Sequence, residues 1–188
     1  MISRGSVGEE PGATSARVVL VPGVLALLPE YASLTDPVAE LRAACQAAVA
    51  WLVEEGGPVT VVADAQGRRV AEHLLGVVSP SSTTEARSTG PVLVVANGSA
   101  RRGEKAPGHL DERSSGFDAA IGAALRAPDP GALGELDAVL GEELLAGNVE
   151  GLRALGGVLT PAHRATMDYE DDPFGVRYWV VRWSCGSC

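Results

Sequence analysis

The chain has 188 residues and a mass of 19.3 kDa, with 24 acidic against 15 basic side chains and a formal net charge of −9. That length suits a single domain with a real core, while the acidic balance excludes a nucleic-acid partner held by phosphate neutralisation, which needs clustered Lys and Arg. No apolar run approaches the roughly 18–20 residues of a membrane span, so no membrane partner is expected.

Residues 1–15 are rich in Gly, Ser and Glu, lack the basic-then-apolar order of a signal peptide, and read as a disordered leader. The first strand is expected over residues 16–22, where Val18, Val19, Leu20 and Val21 form the continuous apolar run of a strand covered on both faces. Asp36-Pro37 then offers a capping carboxylate and a proline suited to the first helical position. A helix is predicted over residues 37–55, with Val38, Leu41, Cys45, Val49, Leu52 and Val53 as its inward stripe. Cys45 on that stripe reads as a core residue.

A second buried strand is expected at residues 59–64, a short helix at 67–75 with Val70, Leu74 and Leu75 inward, and a Ser/Thr-rich surface loop at 79–90. The run 91–96 is the third buried strand. This alternation implies parallel pairing, right-handed crossovers and helices on both faces. Phe117, Ile121 and Leu125 mark a further helix. Asp129-Pro130 opens another, with Leu133, Leu136, Leu140 and Leu144 as one four-turn stripe. Gly147-Asn148 breaks it before a short helix at 149–155. Residues 166–170 and 176–183, flanking Asp171-Asp172-Pro173-Phe174-Gly175, read as a β-hairpin.

The fold class is therefore α/β, expected as a three-layer α/β/α arrangement with a mostly parallel central sheet and a C-terminal antiparallel hairpin at one edge. Residues 16–183 form one domain, and residues 184–188 a flexible tail carrying Cys185 and Cys188. Three thiols make no secreted disulfide framework, and a cytoplasmic location is expected.

Ligands of open parallel sheets gather beyond the carboxyl ends of the strands. That places Gly23, Asp64 and Asn97 among the ligand-binding candidates. The third loop adds Gly98, Ser99, Arg101, Arg102, Lys105 and His109, a basic cluster in an acidic chain and a candidate for an anion or polar ligand, with Gly98 letting a backbone amide approach it. No catalytic residue is nominated. His73, His109 and His163 stand apart without metal-type spacing, and no metal ligand is assigned. His163 is read as lying near a helix end, where the dipole favours an imidazolium. Asp168, Glu170, Asp171 and Asp172 form the densest carboxylate group, with alternation placing Asp168 and Glu170 on one face of a charged hairpin edge. The sequence has no Gly-x-Ser-x-Gly, Gly-x-Gly-x-x-Gly or His-Glu-x-x-His motif.

The run from Asn97 through Gly98-Ser99-Ala100-Arg101-Arg102-Gly103-Glu104-Lys105-Ala106-Pro107-Gly108-His109 to Arg113, then Phe117-Asp118-Ala119-Ala120, resembles small actinobacterial proteins of the class III extradiol ring-cleavage dioxygenase-like family. Leu41-Arg42-Ala43-Ala44-Cys45 and Pro173-Phe174-Gly175-Val176 add to the likeness. The resemblance implies an α/β fold and, in the wider superfamily, a non-haem iron(II) held by two His and one Glu that opens catecholic rings with dioxygen. The ligand positions it implies are altered here. Pro22-Gly23-Val24 stands in place of the Pro-His-Pro-like turn, Asp64-Ala65-Gln66 follows strand two, Ala100 replaces the acid–base histidine, and Glu150 is the carboxylate of the 148–150 region.

The expectation is thus a scaffold without the usual iron ligands and without a cofactor, binding a small molecule or a protein partner. The alternative is a divergent Fe2+ dioxygenase acting on a catecholic substrate, its metal held by residues such as His109, Asp64 and Glu150. A third reading is a homo-oligomer or protein partner docked on an exposed aromatic hairpin around Phe174, Tyr178, Trp179 and Trp183.

Overall fold

A computed structural model describes residues 17–31, 34–54, 56–78 and 90–186. The expected leader, most of the 79–90 loop and Cys188 lie outside the described residues. The described residues form a five-stranded mixed sheet in the order β2-β3-β1-β5-β4. Its strands are β1 (Arg17–Val21), β2 (Thr60–Val62), β3 (Val92–Val95), β4 (His163–Asp171) and β5 (Tyr178–Cys185). β1 and β2 both pair parallel with β3, whereas β5 pairs antiparallel with β1 and with β4. Parallel and antiparallel pairings are thus balanced, and the expected mostly parallel sheet is corrected to a mixed one.

Alternate residues of β1 enter separate cores. Val19 and Val21 pack with α1 (Ala39–Val53) and α2 (Ala65–Val78). Val18 and Leu20 pack with α3 (Arg113–Arg126) and α6 (Val149–Val158). A strand covered on both faces reads as an unbroken apolar run, which is why 18–21 carries no polar residue. The chain steps from β1 outward to β2 and back to β3 while α1 and α2 share one core, so the two crossovers have opposite hands, not the right-handed pair expected. The outer strand β2 is only partly buried, another departure.

α1 buries Leu41, Cys45, Val49 and Leu52 as its spacing predicts, adds Ala48, and leaves Val53 only partly buried. Asp36 stands two positions ahead of the N-cap residue, Val38, instead of at the cap itself. Its carboxylate still secures the helix start, accepting from Val38 N at 3.0 Å and from Arg42 Nε at 2.7 Å. The leucine stripe at 133–144 is divided between α4 (Pro130–Gly134) and α5 (Ala138–Glu143). Asp129 caps the first by accepting from Ala132 N, and Asp137 caps the second by accepting from Leu140 N, each at 3.0 Å. A second carboxylate cap starts a new helix where periodicity alone suggested one.

β5 extends from Tyr178 through Cys185, two residues past the strand end expected at 183. Tyr178, Trp179 and Trp183 are buried, and Phe174 alone of the four aromatics is exposed. Three of the four aromatics expected on a docking surface are therefore core residues. The register of β4 shifts between Met167 and Tyr169, and the extra residue reverses which side chains face which side. Asp168 pairs with Arg182, whose guanidinium lies over Trp51 of α1. Glu170 instead reaches Arg126 of α3, Arg177 at 3.2 Å and Trp179 Nε1 at 3.3 Å. These two carboxylates lie on opposite faces, correcting the simple alternation.

Candidate functional site

The carboxyl ends of β1, β2 and β3 open onto a cleft of about 260 Å³, near the lower end of ligand pockets, which typically run ~300–1,000 Å³. Gly23, Asp64 and Asn97 each line it, one from each strand end. Hydrogen bonds lace its walls together. Asn97 Oδ1 accepts from Gly23 N at 2.8 Å, and Gln66 Nε2 donates to Gly23 O at 2.7 Å. Asp64 Oδ1 caps α2 by accepting from Gly67 N at 2.6 Å. On the other side Asn148, at φ 57, caps α6 through Gly151 N at 3.1 Å and donates from Nδ2 to Val95 O at 2.7 Å.

Gly98, Ser99 and Arg102 of the candidate loop are engaged within the fold. Asp118 on α3 is fully buried, accepting from Ser99 N at 2.8 Å, Ser99 Oγ at 2.6 Å and Arg102 Nη1 at 3.0 Å. Arg102 also binds Asp172. Gly98 donates its amide to Arg177 O at 2.8 Å. A Cβ there would stand 2.6–2.7 Å from Asp118 Oδ1, Arg177 Cβ and Trp179 Cη2, so this glycine is required by packing and its amide is already bonded within the fold. Lys105 and His109 are exposed outside the cleft, and Arg101 is half-buried with no partner for Nε among the described residues. The anion-loop expectation thus divides: Asn97 lines the cleft, while Gly98, Ser99 and Arg102 hold the loop to α3 and the β4–β5 connection.

At the far end of this loop, Asp111 accepts from Arg113 Nη2 at 2.8 Å and Nε at 3.0 Å. Those bonds, with the Arg113 backbone amide, pull its carboxyl down to about 2. A lowered carboxylate pKa contributes stability above the unfolded value, near 4, and that contribution fades as pH falls through 2. A carboxyl-carbon NMR titration should place the Asp111 midpoint near 2, and Arg113→Ala should return it toward the ordinary range. A wild-type midpoint near 4 would show that the pair does not persist in solution.

Sequence reasoning missed Gln66, Leu145, Gly147 and Asn148, which also line the cleft. Asn148 carried a usable signal as a capping residue ahead of a helix; Leu145 carried none. His163 begins β4, buried, with Nδ1 accepting from Thr160 N at 3.0 Å. That is a strand position and a bonded ring nitrogen, not the helix end expected. Cys45 is fully buried, and desolvation pushes its thiol pKa up.

Iron chemistry of the kind implied by the resemblance needs two imidazoles and a carboxylate converging. The cleft lining supplies one carboxylate, Asp64, already capping α2, and no imidazole. Ala100 packs in the core. Among the described residues no three of His, Cys, Asp or Glu gather to hold a cation, His109, Asp64 and Glu150 included. The described residues do not fit that ion. Among the described residues no helix is long and apolar enough to cross a membrane. No protein-family model matches the chain, and no curated protein matches it either.

Proposed function

We propose that the chain is a cytoplasmic small-molecule-binding scaffold of the class III extradiol dioxygenase-like type, working without an iron centre. In this reading the fold is a three-layer α/β/α sandwich with β4 and β5 as its C-terminal hairpin, and the ligand sits beyond the carboxyl ends of β1, β2 and β3. One observation carries it: loops from three separate strands bring Gly23, Asp64 and Asn97 to a single cleft whose polar walls are fixed by hydrogen bonds. Ligands of α/β sheets bind at this end of the strands.

The test has two arms. Purified protein incubated anaerobically with Fe2+ and desalted should retain well under one iron per chain, with no catechol-dependent oxygen uptake. Amide NMR with a set of small polar fragments should show shifts concentrated at Gly23, Asp64, Asn97 and Asn148. Stoichiometric iron with oxygen uptake would overturn the metal-free reading and establish the dioxygenase in its place. Fragment shifts only outside the cleft would overturn the choice of site.

A further inference from the structure

Leu145 stands at odds with its surroundings in two ways. α5 ends in a Schellman motif, with Leu145 N bonded to Glu142 O at 3.0 Å and Ala146 N to Gly141 O at 2.9 Å. The residue between these two bonds takes the left-handed conformation that such motifs normally assign to glycine, and here it is Leu145, at φ 56. A side chain in that conformation crowds its own backbone. The leucine is also 47% exposed, so the strain is not offset by full burial. It lines the cleft, and strained residues that persist against such costs cluster at ligand sites.

The polar side of the cleft has a definite sign. Asp64 keeps Oδ2 free of any described partner, Gln66 keeps Oε1, and Asn97 keeps its Nδ2 donor, since their other polar atoms bind Gly67, Gly23 and Gly23 in turn. No Lys, Arg or His is among the lining residues. Among the lining side-chain polar atoms left without any described bond, two are thus acceptors, one of them a carboxylate oxygen, and one is a donor, beside an apolar wall.

Resting on the reading of this cleft as a ligand site, we infer that it takes a small molecule that is cationic or hydrogen-bond-donating and carries an apolar face, with Asp64 selecting the charge and Leu145 covering the face. Anions are disfavoured because the one carboxylate has no cation beside it. Removing Leu145 should weaken the ligand without weakening the fold.

Benzylamine and benzoate, alike in shape and opposite in charge, are the probes. In amide NMR titrations, benzylamine at millimolar concentration should shift the cleft amides and benzoate should not. Leu145→Gly should weaken benzylamine about fivefold or more, in line with losing the cover of a half-exposed leucine, while its Tm equals or exceeds that of the parent. Leu145→Asn, which also tolerates the left-handed conformation, should behave alike. Asp64→Asn retains a capping oxygen for α2 and should abolish the preference for benzylamine. Benzoate binding as well as benzylamine, unchanged affinity in both Leu145 variants, or a lowered Tm in both would overturn the inference while leaving the cleft as a ligand site. Cleft amides that respond to neither probe nor to any fragment would overturn the inference together with the proposed function.

Discussion

Replacing Asp118 by alanine should destabilise the protein by about 3–5 kcal/mol, the range seen when one member of a buried ion pair is removed. In a chain of this size that corresponds to a fall in Tm of roughly 6–20 °C. The carboxylate is inaccessible to solvent and takes three hydrogen bonds, two from Ser99 and one from Arg102. Without it the Ser99 amide and hydroxyl lose their acceptor, and the mostly buried Arg102 guanidinium keeps only Asp172. Ser99→Ala removes a single donor and should cost about 1 kcal/mol. Urea unfolding of both variants separates the two magnitudes. A loss below 1 kcal/mol for Asp118→Ala would mean that water reaches the carboxylate and that the loop is not held from within.

Trp183→Ala should cost about 3–5 kcal/mol by opening a cavity between sheet and helix. Its indole is fully buried in the core formed with α3, and Nε1 donates to Leu125 O at 3.1 Å. Trp183→Phe keeps much of the ring volume and forfeits the donor, so about 1–2 kcal/mol is expected. Equal losses in the two variants would place the stabilisation in the hydrogen bond and not in packing. The first prediction concerns the tie between α3 and the loop after β3, and the second the seam along which β5 meets the same helix.

The apolar runs at 18–21 and 92–95 announced strands covered on two faces, because a polar side chain buried there would lose its water without gaining a hydrogen-bond partner. α1 was legible from its three- and four-residue spacing, and α4 from Asp129-Pro130. Strand order was not legible, since parallel and antiparallel neighbours of β1 impose the same local pattern. The bulge at Asp168 was equally hidden, because an inserted residue has no compositional mark and yet turns Glu170 to the opposite face. At the site, Gly23, Asp64 and Asn97 followed from the strand-end rule. The structural part played by Arg102 was hidden for a reason of distance: it pairs with Asp118 and Asp172, 16 and 70 residues away. Gln66, Leu145 and Asn148 reach the cleft by tertiary folding, and a linear reading could not assemble them.

The lacing of the cleft has a bearing on how it behaves as conditions change. Its cross-links from Asn97 to Gly23, from Gln66 to Gly23 and from Asn148 to Val95 all run through carboxamide groups. Carboxamides neither gain nor lose a proton across the range in which carboxylates and imidazoles do. Those three stitches therefore hold through acidification and alkalinisation alike, and the receptacle keeps its dimensions across that range.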